Sequence, residues 1–341
     1  MKFKQFDTII DVRSPAEFAE DHIPGAISAP VLDDAERAEV GTLYKQVSPF
    51  DAKKTGAALV ARNISQHIQQ LFKDKPNSWH PLVYCWRGGK RSGAMAHILR
   101  EIGWNAGTLE GGYKAYRRYV VSQLQTLPAS LDFVVVHGPT GSGKSRLLGA
   151  LKRAGAQVLD LEDLAAHRGS VLGNLPDRRQ PSQKMFESLL LQELSTLQSE
   201  KPVFVEGESK KIGELQVPDA LMERMRASPC ILLETELETR VDLLLEEYPH
   251  FLNDKKALHA QLDCLLALHG RERIAEWKSI GDWRELVRRL LVEHYDPAYQ
   301  RSSMRNFAQL PFAQRIHIAG ADEHAFLSAA RALVEPMAVP T

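Results

Sequence analysis

Two loops in this sequence hold residues whose types and spacing suit chemistry. The first is Cys85-Trp86-Arg87-Gly88-Gly89-Lys90-Arg91-Ser92, at the end of the apolar run Pro81-Leu82-Val83-Tyr84. Backbone N–H groups of a glycine-rich loop, the positive end of a following helix, and the cations Arg87, Lys90 and Arg91 all favour a thiolate over a thiol. A thiolate is the form that attacks sulfur, selenium or phosphorus. The second is Gly138-Pro139-Thr140-Gly141-Ser142-Gly143-Lys144-Ser145, which satisfies G-x-x-x-x-G-K-[ST] at every fixed position. Gly138, Gly141 and Gly143 let successive N–H groups, that of Ser142 included, point at an anion. Lys144 supplies charge to terminal phosphates, and Ser145 is placed to hold a Mg²⁺ ion.

Other groups read as accessories to these loops. Asp160 and Glu206 end the next two apolar runs and are expected to be acidic partners for a Mg²⁺ ion or solvated strand-end carboxylates. Arg240 follows a fourth strand, where P-loop kinases often place an arginine against phosphates. His167-Arg168-Gly169-Ser170 and Asp177-Arg178-Arg179-Gln180 add donors that a solvated charged face would explain equally well. Cys230 and Cys264 lie in apolar stretches and are expected to be core, since free cysteine packs as a small hydrophobe. Tyr113, Lys114, Tyr116, Arg117 and Arg118 interleave rings and cations as an RNA-stacking surface would. Arg284 and Arg288 lie in a helical stretch with Arg271, Arg273, Trp277, Lys278, Trp283 and Arg289. Both stretches also read as charged helix faces with their rings turned inward.

The elements that must position these loops alternate. Thr8-Ile9-Ile10-Asp11-Val12-Arg13 is a short buried strand that delivers Asp11 and Arg13 to its carboxyl end. Ser14 is the expected N-cap of the next helix, with Pro15 at its first position. A strand over 81–85 and a helix over 92–102 flank the cysteine loop. Gln, Thr, Pro and Ser gather between Val120 and Asp132, and the pattern then restarts with Phe133-Val134-Val135-Val136 running into the second loop and a helix. Further strands are expected at 157–160, 203–206 and 231–234, with a weaker one at 316–318. The reading is an α/β chain with parallel sheets. Residues 1–122 form one domain and 131–341 a P-loop domain, with a helical subregion over about 238–295.

At 341 residues the chain is long enough for two cores. Hydrophobic residues make up 44% and charged residues 25%, which places it among ordinary globular proteins. No apolar run approaches the roughly 20 residues of a membrane span, and residues 1–7 lack a signal-peptide pattern, so no membrane partner and a cytoplasmic location are expected. Three cysteines give no disulfide framework. The 43 basic residues balance 43 acidic ones, so bulk charge gives no argument for nucleic acid, though a local basic patch could still bind it.

Asp11-Val12-Arg13, Glu17, His22-Ile23-Pro24-Gly25-Ala26, the cysteine loop and Glu110-Gly111-Gly112-Tyr113 together resemble the rhodanese family. There the cysteine carries persulfide sulfur and an aspartate–arginine pair sits near the active site, which makes Asp11 and Arg13 catalytic candidates beside Cys85, Arg87 and Arg91. Most single-domain rhodaneses have an arginine five residues after the cysteine. Here that place is Lys90, and the C-x5-R spacing to Arg91 also matches cysteine phosphatases. Joined to the P-loop, to Asp160-Leu161-Glu162, to His167-Arg168-Gly169-Ser170 and to Phe204-Val205-Glu206-Gly207-Glu208-Ser209, the whole is similar to the tRNA 2-selenouridine synthase family. That resemblance implies replacement of sulfur by selenium in wobble 2-thiouridine through an S-geranylated intermediate. Geranyl diphosphate and selenophosphate would be substrates, with no tightly bound cofactor and Mg²⁺ as the one candidate ion. The anticodon region of tRNA and a selenophosphate supplier would be partners. The competing readings are a cysteine phosphatase-like or kinase-like enzyme with a regulatory P-loop domain, and a non-catalytic nucleotide sensor.

Overall fold

The computed structural model describes residues 3–170, 173–249, 251 and 254–335, the side chains of 302–305 excepted. The chain divides into two compact units, residues 1–123 with 182–192, and residues 124–181 with 193–341. Segment 182–192, which opens the helix Gln183–Leu194, lies late in sequence yet groups with the first unit, an exchange that no linear boundary between 122 and 131 anticipates.

The strands of the first unit are β1 Thr8–Asp11, β2 Ile27–Ser28, β3 Pro81–Tyr84 and β4 Gly107–Thr108. They form one parallel sheet in the order β2-β1-β3-β4. Every residue of β3 is buried, as expected of a parallel strand covered on both faces. Ile10, Val83, Met95, Leu99, Phe72 and Trp79 are among the side chains of its core. Ser14 caps the helix Pro15–Glu20, and its N–H donates to Glu17 Oε2 at 3.2 Å. Between β2 and β3 runs a helical hairpin, Asp34–Gln46 and Pro49–Gln70, that the sequence reading leaves blank. The first of these helices buries no residue, whereas the second buries Ala52, Gly56 and Ile64 and packs Val60 and Ile68 on the same core, a stripe at every fourth residue that begins with two small residues.

The second unit contributes β5 Phe133–His137, β6 Gln157–Leu159, β7 Val203–Glu206, β8 Lys211–Ile212, β9 Leu215–Gln216, β10 Cys230–Thr235 and β11 Gln314–Ile318. Five of these make a parallel sheet in the order β11-β10-β5-β7-β6, while β8 and β9 pair antiparallel apart from it. β5 is central, flanked by β7 and β10, so the loop leaving its carboxyl end opens at the edge where parallel α/β sheets bind ligands. The helix Lys144–Arg153 buries Leu147, Leu148, Ala150 and Leu151 against this sheet.

Residues beyond β10 are helical, as the sequence pattern indicates, and the helices continue to Asn306. Of this region 250, 252 and 253 lie outside the described residues. Phe251, Leu258, Leu262, Ile274, Trp277 and Leu286 pack into a core separate from that of the sheet. Among the described residues no helix is long and apolar enough to cross a membrane.

Candidate functional site

Cys85 follows β3 directly and is held by groups of its own loop. Gly89 N–H donates to its Sγ at 3.3 Å and the Ser92 hydroxyl lies 3.2 Å away. Burial alone would raise this thiol. The Ser92 hydroxyl and the N–H groups of Ser92, Gly89 and Arg87 outweigh burial and hold it below its ordinary value. The stabilisation therefore comes from short-range donors, whereas the sequence reading credits the cations as well. Arg87 and Lys90 are exposed, and Arg91 is committed to Glu17, Nη1 to Oε2 at 3.0 Å. This ion pair ties the loop's second arginine to the helix Pro15–Glu20.

The helix Gly112–Thr126 fixes the loop from the other side. Tyr113 N–H donates to Cys85 O at 2.8 Å and Lys114 N–H to Trp86 O at 3.0 Å. A Cβ on Gly112, whose φ is +57°, would lie 2.3 Å from Cys85 O, so only glycine lets the helix approach this closely.

The remaining candidates of the first unit are placed differently from expectation. Asp11 and Arg13 form a buried ion pair, 0% and 1% exposed, with Nη2 to Oδ2 at 2.6 Å and a further bond from Nη2 to Asp21 O. They brace the carboxyl edge of β1 and offer no open face to a substrate, which corrects their reading as catalytic groups. Tyr113 and Tyr116 are 3% and 4% exposed, and the Tyr113 hydroxyl donates to Asp21 Oδ2 at 2.6 Å. Rings buried in this way cannot stack on bases. Arg117 pairs with Glu187 and donates to Lys184 O. Lys114 and Arg118, one helical turn apart, remain exposed.

In the second unit Gly143 adopts φ +86° at the N-cap of the helix Lys144–Arg153, where a Cβ would lie 2.4 Å from the Phe326 ring. Lys144 Nζ donates to Gly138 O at 3.0 Å, folding back over the loop. Gly138, Gly141, Gly143, Lys144 and Ser145 all line one cavity of about 990 Å³. Ser142 is instead buried, its backbone carbonyl accepting from Thr235 Oγ1 at 2.9 Å. Arg240 does not face this cavity. It is 5% exposed and donates to Thr140 O at 3.0 and 2.8 Å and to Asp296 at 2.6 and 3.1 Å. It therefore supports the loop from behind, which corrects its reading as a phosphate ligand.

The acidic side of the cavity also departs from the sequence reading. Asp160 lines it, but its side chain accepts from Asp163 N–H at 2.8 Å and caps the helix Leu161–Ala165. Glu206 is 2% exposed and accepts from Glu162 N–H at 2.7 Å. The carboxylate that reaches Ser145 is Glu162, with Ser145 Oγ 3.2 Å from Oε2. Burial, with Glu208 and Asp160 adding repulsion, pushes Glu162 up to about 8. Burial and neighbouring carboxylates likewise raise Glu206 well above the ordinary value, and burial raises Glu208. Glu162 and Glu208 stand in the motif quoted from sequence, yet nothing local marks them as the nearer carboxylates.

A second, apolar pocket of about 70 Å³ shares Thr140, Ser170, Leu244, Tyr248 and Tyr295 with the cavity wall. Phe251, Leu258, Trp283, Leu286 and Leu290 are among its other lining residues. Arg168 stacks on Tyr248 at this junction, 4.4 Å from the ring centroid. Arg284 and Arg288 pair with Glu238, and with Asp242 and Glu285 respectively, so they are not the free cations that an RNA surface needs. Cys230 is buried as expected, whereas Cys264 is exposed, against expectation.

Comparison with known proteins matches residues 1–119 to the rhodanese-like domain and residues 131–266 to the tRNA 2-selenouridine synthase AAA domain. A tRNA 2-selenouridine synthase of Bdellovibrio bacteriovorus is 34% identical over 91% of this chain and 92% of its own length. That of Alcanivorax borkumensis is 34% identical over 89% and 91%. That of Nitrosomonas europaea is 40% identical over 70% of this chain and 63% of its own. Identity at this level along nearly the whole chain, with both domains matched, places it: the chain belongs to the tRNA 2-selenouridine synthase family.

Proposed function

We propose that this enzyme replaces sulfur by selenium in wobble 2-thiouridine of tRNA, first S-geranylating the base with geranyl diphosphate and then exchanging the geranylated sulfur for selenium from selenophosphate. The observation that carries the geranyl part is the apolar pocket opening from the wall of the P-loop cavity. A ligand with a diphosphate head and a hydrocarbon tail matches that pairing of surfaces, since buried apolar area favours the tail and oriented N–H groups favour the anion. A nucleotide kinase has less use for a pocket lined by Leu244, Phe251, Leu258 and Trp283.

In this reading the tRNA sulfur attacks the first carbon of the geranyl group as the carbon–oxygen bond breaks and diphosphate leaves. Lys144 and the loop amides meet the charge that develops on the leaving group. For a Mg²⁺ ion, Ser145 Oγ and Glu162 are oxygen donors of the type it takes. Among the described residues no group of three or more His, Cys, Asp or Glu is arranged to hold a metal, but Mg²⁺ commonly uses one or two carboxylates with phosphate oxygens and water. When bound it would neutralise diphosphate charge. In the second stage the selenium of selenophosphate bonds to the same ring carbon as the carbon–sulfur bond breaks and geranylthiol leaves. Water then cleaves the selenium–phosphorus bond to release phosphate, and the Cys85 thiolate orients the incoming selenophosphate. Exposed Arg87, Lys90, Lys114 and Arg118 supply cations for the phosphates of the tRNA anticodon region, and an enzyme that makes selenophosphate is the expected supplier.

The test is mass spectrometry of nucleosides after incubating tRNA bearing wobble 2-thiouridine with geranyl diphosphate, selenophosphate and each protein variant. Wild type is expected to yield 2-selenouridine, Lys144→Ala neither modified product, and Cys85→Ala the S-geranylated nucleoside alone. Unchanged 2-thiouridine with the folded wild-type protein would overturn the proposal.

A further inference from the structure

The helical run from Trp283 to Asn306 is interrupted at Leu291–Tyr295 by a π-helical turn. Such turns are rare and often sit at functional positions, because the widened turn re-aims a side chain at some cost in helix stability. This one turns His294 into the wall of the cavity that contains Lys144 and Ser145. The side chain is 5% exposed, and its Nδ1 lies 2.9 Å from Nε2 of His269 on the helix Leu266–Ser279. Its other nitrogen, Nε2, has no hydrogen-bond partner among the described residues. The turn is also tied to the phosphate loop, because Asp296, two residues on, bonds Arg240, and Arg240 bonds Thr140 O.

We infer that His294 is a direct ligand contact of the phosphate cavity, donating from Nε2 to an oxygen of the bound diphosphate, and that His269 is the positioning residue that fixes its tautomer. The inference rests on the reading of this cavity as a diphosphate site. Two neutral imidazoles sharing one hydrogen bond are tautomerically linked. When His269 Nε2–H donates to His294 Nδ1, the His294 proton must reside on Nε2 and face the cavity. An anion there selects that arrangement over its opposite. Burial, with His269 and Arg301 opposing added charge, pushes His294 down to about 4, so the donor is a neutral imidazole. Its neutrality leaves charge compensation to Lys144 and makes His294 a directional contact. The Trp277 ring packs edge-on against His269, with centroids 4.9 Å apart, and limits that ring's rotation.

Calorimetric titration with inorganic diphosphate tests this without any turnover. Lys144→Ala reports on the underlying reading, and His294→Leu, His294→Gln and His269→Phe report on the inference, each with its thermal midpoint recorded. His294→Leu is expected to bind on the order of tenfold to a hundredfold more weakly, the scale of a hydrogen bond to a charged group. His294→Gln, whose amide N–H₂ can stand near Nε2, should recover most of the affinity, which a purely structural role would not predict. His269→Phe should fall between them. In the wild-type protein labelled with ¹⁵N-histidine, the His294 Nε2 resonance should shift on adding diphosphate. Loss of binding in Lys144→Ala beside wild-type affinity in His294→Leu and an unmoved Nε2 resonance would overturn the inference alone. Wild-type affinity in Lys144→Ala would remove the diphosphate reading and the inference with it.

Discussion

At the scale of single residues, hydrogen-bond donors set the chemistry of Cys85 more than formal charges do. Its nearest stabilising groups are the Ser92 hydroxyl and loop N–H groups, at 3.2 and 3.3 Å for Ser92 and Gly89. A sequence names the cations of such a loop at once, but it does not say that Arg91 will be taken by Glu17. Ser92→Ala is therefore expected to raise the Cys85 thiol and slow its alkylation by iodoacetamide at neutral pH by roughly tenfold, the scale of a lost bond to an anion. Lys90→Ala should change that rate by much less. The comparison is a stopped alkylation time course read by mass spectrometry.

At the scale of elements, both loops depend on close backbone approach. The helix Gly112–Thr126 meets the cysteine loop through Tyr113 N–H and Lys114 N–H, and Gly112 leaves no room for a side chain. Gly112→Ala should destabilise the first unit by about 2 kcal/mol or more, through both the positive φ and the clash, as a lower denaturant midpoint would report. The longer buried strands of both sheets are readable in the sequence because parallel strands buried on two faces are written as continuous apolar runs, as in Val134-Val135-Val136, whereas the two-residue strands β2 and β4 write no run and are not expected from it. The hairpin over 34–70 is not readable, because its first helix buries no residue and the stripe of its second, Ala52, Gly56, Val60, Ile64 and Ile68, is one residue wide and starts with small residues. The Tyr113 and Arg117 stretch illustrates the same limit from the other side. Rings and cations at helical spacing fit an RNA platform and an inward-facing helix equally well, and packing against Asp21 and Glu187 decides for the latter.

At the scale of the whole molecule, stability is distributed over separate cores, and the carboxylates of the P-loop cavity oppose it at high pH. Glu162, Glu206 and Glu208 hold protons in the folded chain that the unfolded chain releases. Because their folded pKa values lie above the unfolded ones, their contribution is fully present below the ordinary value of 4.5 and is lost as pH rises toward about 8 for Glu162. Thermal midpoints without divalent cation should fall across that window, and the fall should be smaller in Glu162→Gln, as scanning calorimetry from acid to mild alkali would show. Trp277 is fully buried in the helical core, and Trp277→Ala should cost about 3–5 kcal/mol there. Hydrogen exchange should report the loss in helices 255–290, while alkylation of Cys85, which belongs to a different core, should stay at the wild-type rate.

The sequence alone determined the α/β class, the two reactive loops and the family, because each is encoded locally. Closely spaced glycines set a cradle, a lysine and serine follow at fixed spacing, and a cysteine ends an apolar strand. What only the tertiary structure decided is which side chains, distant in sequence, reach those loops. Glu162 meets Ser145 across 17 residues and Arg240 meets Thr140 across 100. Ion pairing consumed Arg91, Arg284 and Arg288, and burial withdrew Asp11, Arg13, Tyr113 and Tyr116 from the surface. Partner choice and solvent exposure are properties of the packed chain, and no local pattern of residues specifies them.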